Sequence, residues 1–230
     1  MERMTAVLSV AALLSAAASV GRADSEYDNT VRAGVYYLHY ALSADDISGP
    51  YVPPGLNIDV PDVVTLYLAY VRKLSSHWDF EFALGYPPLT KTEGKGPATV
   101  GSVPYNGQVI STARWVAPTV LFNYEFRDPS ASLRPYVGVG INYTHFIDKQ
   151  STAQGDAVSG GPTSISLPDS VGPAATVGLV YRLTPRWSFY ASYSASMVNA
   201  RLTANTAGVI RTTHIEFWPL ALVVSAGFSF

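Results

Sequence analysis

The chain has 230 residues, 48% of them hydrophobic, 12% aromatic and only 14% charged, with a formal net charge of −2 and no cysteine. This length makes one domain, and so few charges point to an apolar covering over part of the surface. The missing cysteine excludes disulfides, thiol catalysis, cysteine-based zinc sites and iron–sulfur clusters, and the slightly acidic balance offers nucleic acid no basic patch.

The sustained apolar run is residues 6–20, too short to cross ~30 Å of hydrocarbon as a helix. Arg3 precedes it and Gly21-Arg22-Ala23 follows, the small-x-small pattern that signal peptidase accepts before Asp24. Residues 1–23 are therefore expected to be a cleavable signal peptide, and residues 24–230 the mature outer-membrane β-barrel. An uncleaved anchor would need a stop-transfer segment or a flanking charge cluster, and neither is present.

From Thr30 onward the apolar signal has a period of two, with aromatic and β-branched enrichment and no sustained helical period. Strands are predicted at 30–42, 63–72, 78–86, 116–126, 133–144, 172–183, 187–197 and 216–230. Tight connections at 73–77, 127–132 and 184–186 alternate with long ones at 43–62, 87–115, 145–171 and 199–215, which are rich in Gly, Pro, Ser, Thr and Asp. Short periplasmic turns alternating with long outer loops are the layout of a bacterial barrel. The fold class is thus all-β, an eight-stranded antiparallel transmembrane β-barrel. Such a ring satisfies every backbone polar group in lipid and leaves no edge, and an even strand count puts both termini in the periplasm.

The third strand alternates Trp78, Phe80, Phe82, Leu84 and Tyr86 with Asp79, Glu81, Ala83 and Gly85. The fourth sets Val120, Phe122, Tyr124 and Phe126 against Thr119, Leu121, Asn123 and Glu125, and the fifth Val137, Val139, Ile141 and Tyr143 against Tyr136, Gly138, Gly140 and Asn142. The last alternates Leu222, Val224, Ala226, Phe228 and Phe230 with Val223, Ser225, Gly227 and Ser229. The first face of each suits lipid and the second a narrow lumen. A soluble lipocalin-like barrel or sandwich would alternate too, but with its bulky apolar face inward and polar residues outward.

The segments Ala117-Pro118-Thr119-Val120-Leu121-Phe122-Asn123-Tyr124-Glu125-Phe126 and Arg134-Pro135-Tyr136-Val137-Gly138-Val139-Gly140-Ile141-Asn142-Tyr143-Thr144 resemble the OmpW family of outer-membrane barrels. The resemblance runs from Arg32-Ala33-Gly34 through Tyr181-Arg182-Leu183-Thr184-Pro185-Arg186-Trp187 to Phe230, a terminal aromatic that looks like the signal read by the barrel-assembly machinery. The family usually has two consecutive prolines where this chain has Ala117-Pro118. The resemblance implies an eight-stranded barrel in the bacterial outer membrane with a narrow, largely apolar channel for small hydrophobic solutes, the family including alkane-uptake proteins.

No catalytic, cofactor or metal constellation stands out. His39, His77, His145 and His214 are scattered, and HExxH, nucleophile-elbow and phosphate-loop patterns are missing. Gly138-Val139-Gly140 sits within a predicted strand, where small residues give room inside the barrel. Asp45-Asp46 and the other loop acids suit solvation better than a divalent cation near lipopolysaccharide.

Six lumen-facing charges, Arg32, Asp79, Glu81, Glu125, Arg134 and Arg182, fall near the periplasmic strand ends and are expected to form an ion-paired floor. Above it the predicted channel lining is Tyr36, Leu38, Leu121, Val180, Tyr190, Ala221 and Val223, more apolar than an ion channel requires. Pro87, Pro88 and Pro118 flank the outer ends of adjacent strands and each removes a ladder donor, so they either end strands at loop boundaries or frame a lateral gate. The expected function is passive uptake of small hydrophobic molecules with sideways release into lipid. The alternative is a structural or adhesion barrel whose loops bind a partner, and an enzyme such as a lipid hydrolase ranks below both. Expected partners are outer-membrane lipid and lipopolysaccharide, hydrophobic solutes and the assembly machinery, but not nucleic acid.

Overall fold

The computed structural model describes residues 27–100 and 103–230, so the expected signal peptide at 1–23 lies outside the described residues. Fifteen strands and one short helix follow in order among the described residues: β1 Asn29–Ala44, β2 Asn57–Asp59, β3 Val63–Lys73, β4 Trp78–Gly85, β5 Leu89–Lys95, β6 Thr99–Val100, β7 Val103–Pro104, β8 Val109–Val116, β9 Thr119–Glu125 and β10 Leu133–Ser151. Then come α1 Ala153–Ser159, β11 Thr163–Ser166, β12 Ser170–Arg182, β13 Trp187–Ser196, β14 Val198–Thr206 and β15 Val209–Ser229.

Eight of these strands close a ring in the order β1, β3, β4, β9, β10, β12, β13, β15, with every neighbouring pair antiparallel. The ring is sealed where β1 pairs β15 from Thr30 opposite Ser229 to Ala44 opposite Ile215. Period-two sequence gives period-two burial, as in β10, where Tyr136 is 3% exposed and Val139 is 68% exposed. The outward residues make an apolar belt, so the hydrophobic surface faces lipid while small and polar groups fill the inside. Gly138 follows this logic: a Cβ there would lie 1.9 Å from the Asn123 side-chain oxygen, so its bareness leaves room for Asn123.

Two periplasmic turns share one construction. The Leu74 and Leu183 amides donate to the carbonyls of Trp78 and Trp187, both at 2.9 Å. The Ser75 and Thr184 hydroxyls accept from the Trp78 and Trp187 amides at 3.2 and 3.0 Å. Each turn aims a tryptophan outward, where Trp78 meets Tyr124 and Trp187 meets Phe228 at ring separations of 5.0 and 5.1 Å. These rings form part of an aromatic girdle at the periplasmic interface.

The long connections are not simply loops. They carry β2, β5 and β8, which join the upper half of β10, and β11 and β14, which join the lower-numbered half of β15. The expected strand ends at 144 and 216 are therefore corrected to Ser151 and Val209. Above the lipid neither wall face needs to be apolar, so backbone pairing continues after the period-two signal has faded. The β14–β15 hairpin turns on Ala207 and Gly208, both at positive φ, the geometry that matches strand twist in two-residue hairpins. The 21 residues of β15 span roughly 70 Å at ~3.4 Å per residue, well beyond a hydrophobic band ~25 Å tall even when tilted. The barrel consequently carries a tall rim on its outer side.

Candidate functional site

The inside of the ring is divided by a layer of ionic side chains. Arg32 Nη1 lies 2.9 Å from Glu81 Oε2, both side chains being almost wholly buried. Arg32 Nε donates to Ser225 Oγ at 3.2 Å, and the guanidinium lies 4.1 Å from the Tyr190 ring centroid and 5.2 Å from that of Tyr67. The Tyr67 hydroxyl donates to Glu81, and the Asn123 amide donates to Asp79 and Glu81 at 2.8 and 3.0 Å. Nearer the periplasm, Glu125 is held between Lys73, at 2.8 Å, and Arg134. Arg134 also donates to the carbonyls of Ser76, at 2.9 Å, and Phe126, at 3.1 Å. Three carboxyl and three cationic side chains thus fill the narrow lumen, with hydrogen bonds offsetting the desolvation that makes lone buried charge so costly.

One expected member of this floor is displaced. Arg182 donates to the Pro129 carbonyl at 2.9 Å and tethers a periplasmic turn rather than meeting a carboxylate. Lys73, Tyr67 and Asn123 take part instead. Lys73 sits at the end of β3, where strand parity is lost in the turn, so the sequence gave no inward assignment for it.

Above the floor lies an apolar cavity of about 120 Å³ whose walls include Tyr36, Leu38, Leu121, Ala221 and Val223, as expected from their parity. Tyr40, Trp115, Phe146 and Phe217 complete its outer end. The last three fall outside the predicted strands, or at the frayed start of one, and were missed for that reason. Val180 and Tyr190 are corrected: they line the separate periplasmic cavity, together with Lys73, Glu125 and Arg182. Val180 and Tyr190 are paired with each other only three residues from the turn between β12 and β13, which puts them nearer the periplasm than Tyr36 and Leu38.

The three prolines surround a slot in the wall. Pairing of β4 with β9 stops at Ala83 opposite Thr119, and pairing resumes only at Leu89 of β5 opposite Arg114 of β8. Between these rungs Tyr86 donates back to Leu66 at 2.9 Å, while Pro118 accepts from Tyr143 at 3.0 Å, so each side stays with its outer neighbour. Arg114 donates to the Pro87 carbonyl at 3.0 Å across the top, and Pro88 is buried beside it. Leu84, Gly85, Ala117 and Thr119 at this slot all line the internal cavity, although Leu84 has the parity of a lipid-facing residue. Gly85 has no Cβ where one would lie 1.8 Å from the Tyr36 hydroxyl, so the Tyr36 ring packs directly against the Gly85 backbone on the inner side of the slot.

At the outer edge of the lipid belt the wall carries two matching clasps. Tyr37 and His39 of β1 both bond the Asp62 carboxylate, the His39 Nδ1 at 2.9 Å. Four ring strands away, Tyr143 and His145 of β10 bond Asp169 at 2.6 and 2.7 Å. The tyrosine hydroxyl, and behind it the imidazole, holds each carboxyl below the usual carboxylate range. His39 and His145 therefore have wall-bracing partners, and among the described residues no cluster of three or more His, Asp or Glu groups is arranged for a metal.

A closed antiparallel ring with an apolar outer belt and a tall outer rim defines an outer-membrane β-barrel. The OmpW family model matches residues 30–230, and the chain belongs to the OmpW family. It is 29% identical over 223 residues to outer membrane protein W of Vibrio cholerae, covering 97% of each chain. It is 27% identical over 125 residues to the dibenzothiophene metabolism operon protein PahQ of Pseudomonas aeruginosa, covering 53% of this chain and 54% of that one. The fold is that of the outer membrane protein OprG from Pseudomonas aeruginosa, with a TM-score of 0.79 at 20% identity, covering 92% of this chain and 99% of that one. Its place is the bacterial outer membrane, in contact with lipid.

Proposed function

We propose that the chain admits small hydrophobic molecules from outside and releases them sideways into the outer membrane through the slot between β4 and β9. The observation that carries this reading is the combination of an apolar cavity, a charged floor beneath it and an interrupted ladder at its side. An apolar solute gains by leaving water for such a cavity, yet moving on through the floor would mean separating buried ion pairs. Lipid on the far side of the slot offers the solute another apolar phase without that cost. The relative bearing the name of a dibenzothiophene metabolism operon protein fits a hydrophobic cargo. In the same reading lipopolysaccharide surrounds the rim, Phe230 is read by the assembly machinery, and residues 1–23 are removed on export.

The slot fixes the choice of test. Since Ala83 pairs with Thr119, the next rung would join Leu84 and Pro118, and the native chain has no cysteine to interfere. Cysteines at Leu84 and Pro118 bridged by a short bis-maleimide should slow octane uptake into cells at least tenfold, while the same bridge at the paired positions Phe82 and Val120 should leave it unchanged. Full uptake through the bridged slot would refute sideways release there. Equal uptake by cells with and without the barrel would leave the structural or adhesion role.

A further inference from the structure

The rim encloses a second chamber, of about 220 Å³, between β2, β8, α1, β11 and β14, walled largely by Leu56, Ile58, Tyr105, Ile110, Ile165 and Leu202. A dry cavity of ~150 Å³ already holds benzene, so this one has room for a larger solute. Between chamber and barrel lies a smaller space that shares Ile58 and Leu202 with the chamber and Tyr40, Trp115, Phe146 and Phe217 with the barrel cavity. The three spaces stand in series from the outer surface down to the ionic floor.

Two phenols mark this series. Tyr105 in the chamber wall and Tyr40 at the junction are each more than nine-tenths buried; the Tyr105 hydroxyl has no hydrogen-bond partner, and the Tyr40 hydroxyl, next to Thr90 and Trp115, makes no well-aligned bond to either. Beside Tyr40, the Trp115 indole and the Thr90 hydroxyl are bonded to each other at 2.9 Å. Burial pushes Tyr105 up to about 12, so in the physiological range it is a neutral donor. Buried polar groups are ordinarily satisfied, and a pair left open along one apolar path calls for an occupant that brings an oxygen. Arg211, the cation in the chamber wall, directs its Nε and Nη1 donors to the Pro50 and Ser159 carbonyls and the Thr206 hydroxyl at 3.3 to 3.4 Å.

We infer that the chamber is a selectivity site for neutral hydrophobic molecules carrying a single oxygen function, such as medium-chain ketones, and that Tyr105 and then Tyr40 donate to that oxygen on the way in. The inference rests on the uptake reading and narrows it: a bare hydrocarbon passes but leaves both hydroxyls open, whereas a ketone satisfies each in turn. A carboxylate would lose its hydration between largely apolar walls, a cost that a neutral ketone does not bear. Tyr105 and Tyr40 are binding residues in this scheme, since each would touch the solute.

The test compares 2-octanone with octane, in lipid vesicles holding the wild-type barrel, Tyr105→Phe or Tyr40→Phe, with heat-modifiable gel mobility as the check on folding. Removing an unpartnered hydroxyl leaves no orphan behind, so both variants should fold as well as wild type. The ratio of 2-octanone to octane uptake should fall roughly three- to tenfold in each variant, the scale of one lost hydrogen bond. A carbonyl-labelled 2-octanone should also show a hydrogen-bonded infrared band that weakens in both variants. Equal losses for both solutes, or none for either, would overturn the inference while leaving uptake in place. If wild type moves neither solute but still gives the Tyr105-dependent band, the binding site stands and the uptake reading falls; the absence of both signals would overturn the site as well.

Discussion

Arg32 and Glu81 reach across β3 to meet inside the barrel, Nη1 to Oε2 at 2.9 Å, with a tyrosine ring on either side of the guanidinium. The contact ties β1 to β4, which share no ladder, and it sits at the height where the lumen changes from apolar to charged. Its strength comes less from the attraction itself than from the cost of leaving either partner alone in a dry interior.

Glu81→Ala should accordingly destabilise the folded barrel by about 3–5 kcal/mol, the range for a buried charge stripped of its partner. Glu81→Gln, which can keep the Tyr67 and Asn123 contacts but not the charge, should lie between Ala and wild type. Joint replacement, Arg32→Met with Glu81→Leu, should restore most of the loss. Urea unfolding in lipid vesicles followed by tryptophan fluorescence measures all three, and equal stability of Glu81→Ala and wild type would show that the pair is not shielded from water.

Acid should loosen the two outer clasps. Asp62 and Asp169 have folded-state values below 3.8 because the Tyr37 and Tyr143 hydroxyls bond their ionised forms. A depressed carboxyl contributes stability in full above its unfolded value, and that contribution is lost as pH falls through the folded one. Amide protection around 37–40 and 143–146, corrected for the intrinsic pH dependence of exchange, should thus stay flat from pH 7 to about 5 and fall below about 4. Asp62→Asn with Asp169→Asn should raise exchange at pH 7 and abolish the step.

Ser75→Ala and Thr184→Ala each remove the hydroxyl that receives a tryptophan amide in a periplasmic turn. The two turns share no contacts, so losses of about 0.5–1 kcal/mol apiece should add in the double variant. A double variant no worse than either single one would mean that the turns are not independent.

Deleting Phe230 removes both backbone bonds that close the seam at the periplasmic end, Phe230 N to Asn29 O at 2.8 Å and Asn29 N to Phe230 O at 3.3 Å. The folded, heat-modifiable fraction in the outer membrane should drop severalfold, while the periplasmic pool of unassembled chain rises. Unchanged outer-membrane levels would place the assembly signal elsewhere.

The lipid-spanning part of this fold was legible because lipid imposes a rule that sequence can display: Phe122 faces out, Leu121 faces in, and the alternation runs on. Where water touches both faces the rule lapses, which is why the upper half of β10 and the whole of β14 passed for loop. Within the site, Arg32 and Glu81 were readable from parity and nearness to a turn. Lys73 was not, since its inward reach depends on a four-carbon stem and not on where its Cα points. Val180 and Tyr190 share the inward parity of the lining residues, but they sit three residues from the β12–β13 turn, and parity alone does not tell which side of the floor a residue occupies. The three prolines could be read as strand ends or as the frame of a gate, and what no single strand records is that pairing resumes beyond them, at Leu89 opposite Arg114.

The matching clasps and turns relate each ring strand to the one four places on, so β4 and β9 correspond to β13 and β15. In that second pair the ladder climbs without interruption through Tyr193 opposite Leu222 and Ser194 opposite Ala221 to Ala195 opposite Leu220, beyond the height at which β4 and β9 part. A ring that repeated perfectly would look the same from two opposite directions within the plane of the membrane. This one does not: the β4–β9 ladder stops at Ala83 opposite Thr119, three rungs sooner than its counterpart, which breaks only across Pro219 before resuming at Val198 opposite Phe217. Under the sideways release proposed above, a neighbour pressed against the β4–β9 side would cover the slot and one on the opposite side would leave it clear, so in a crowded membrane the compass bearing of each barrel would decide whether it can discharge into the lipid around it.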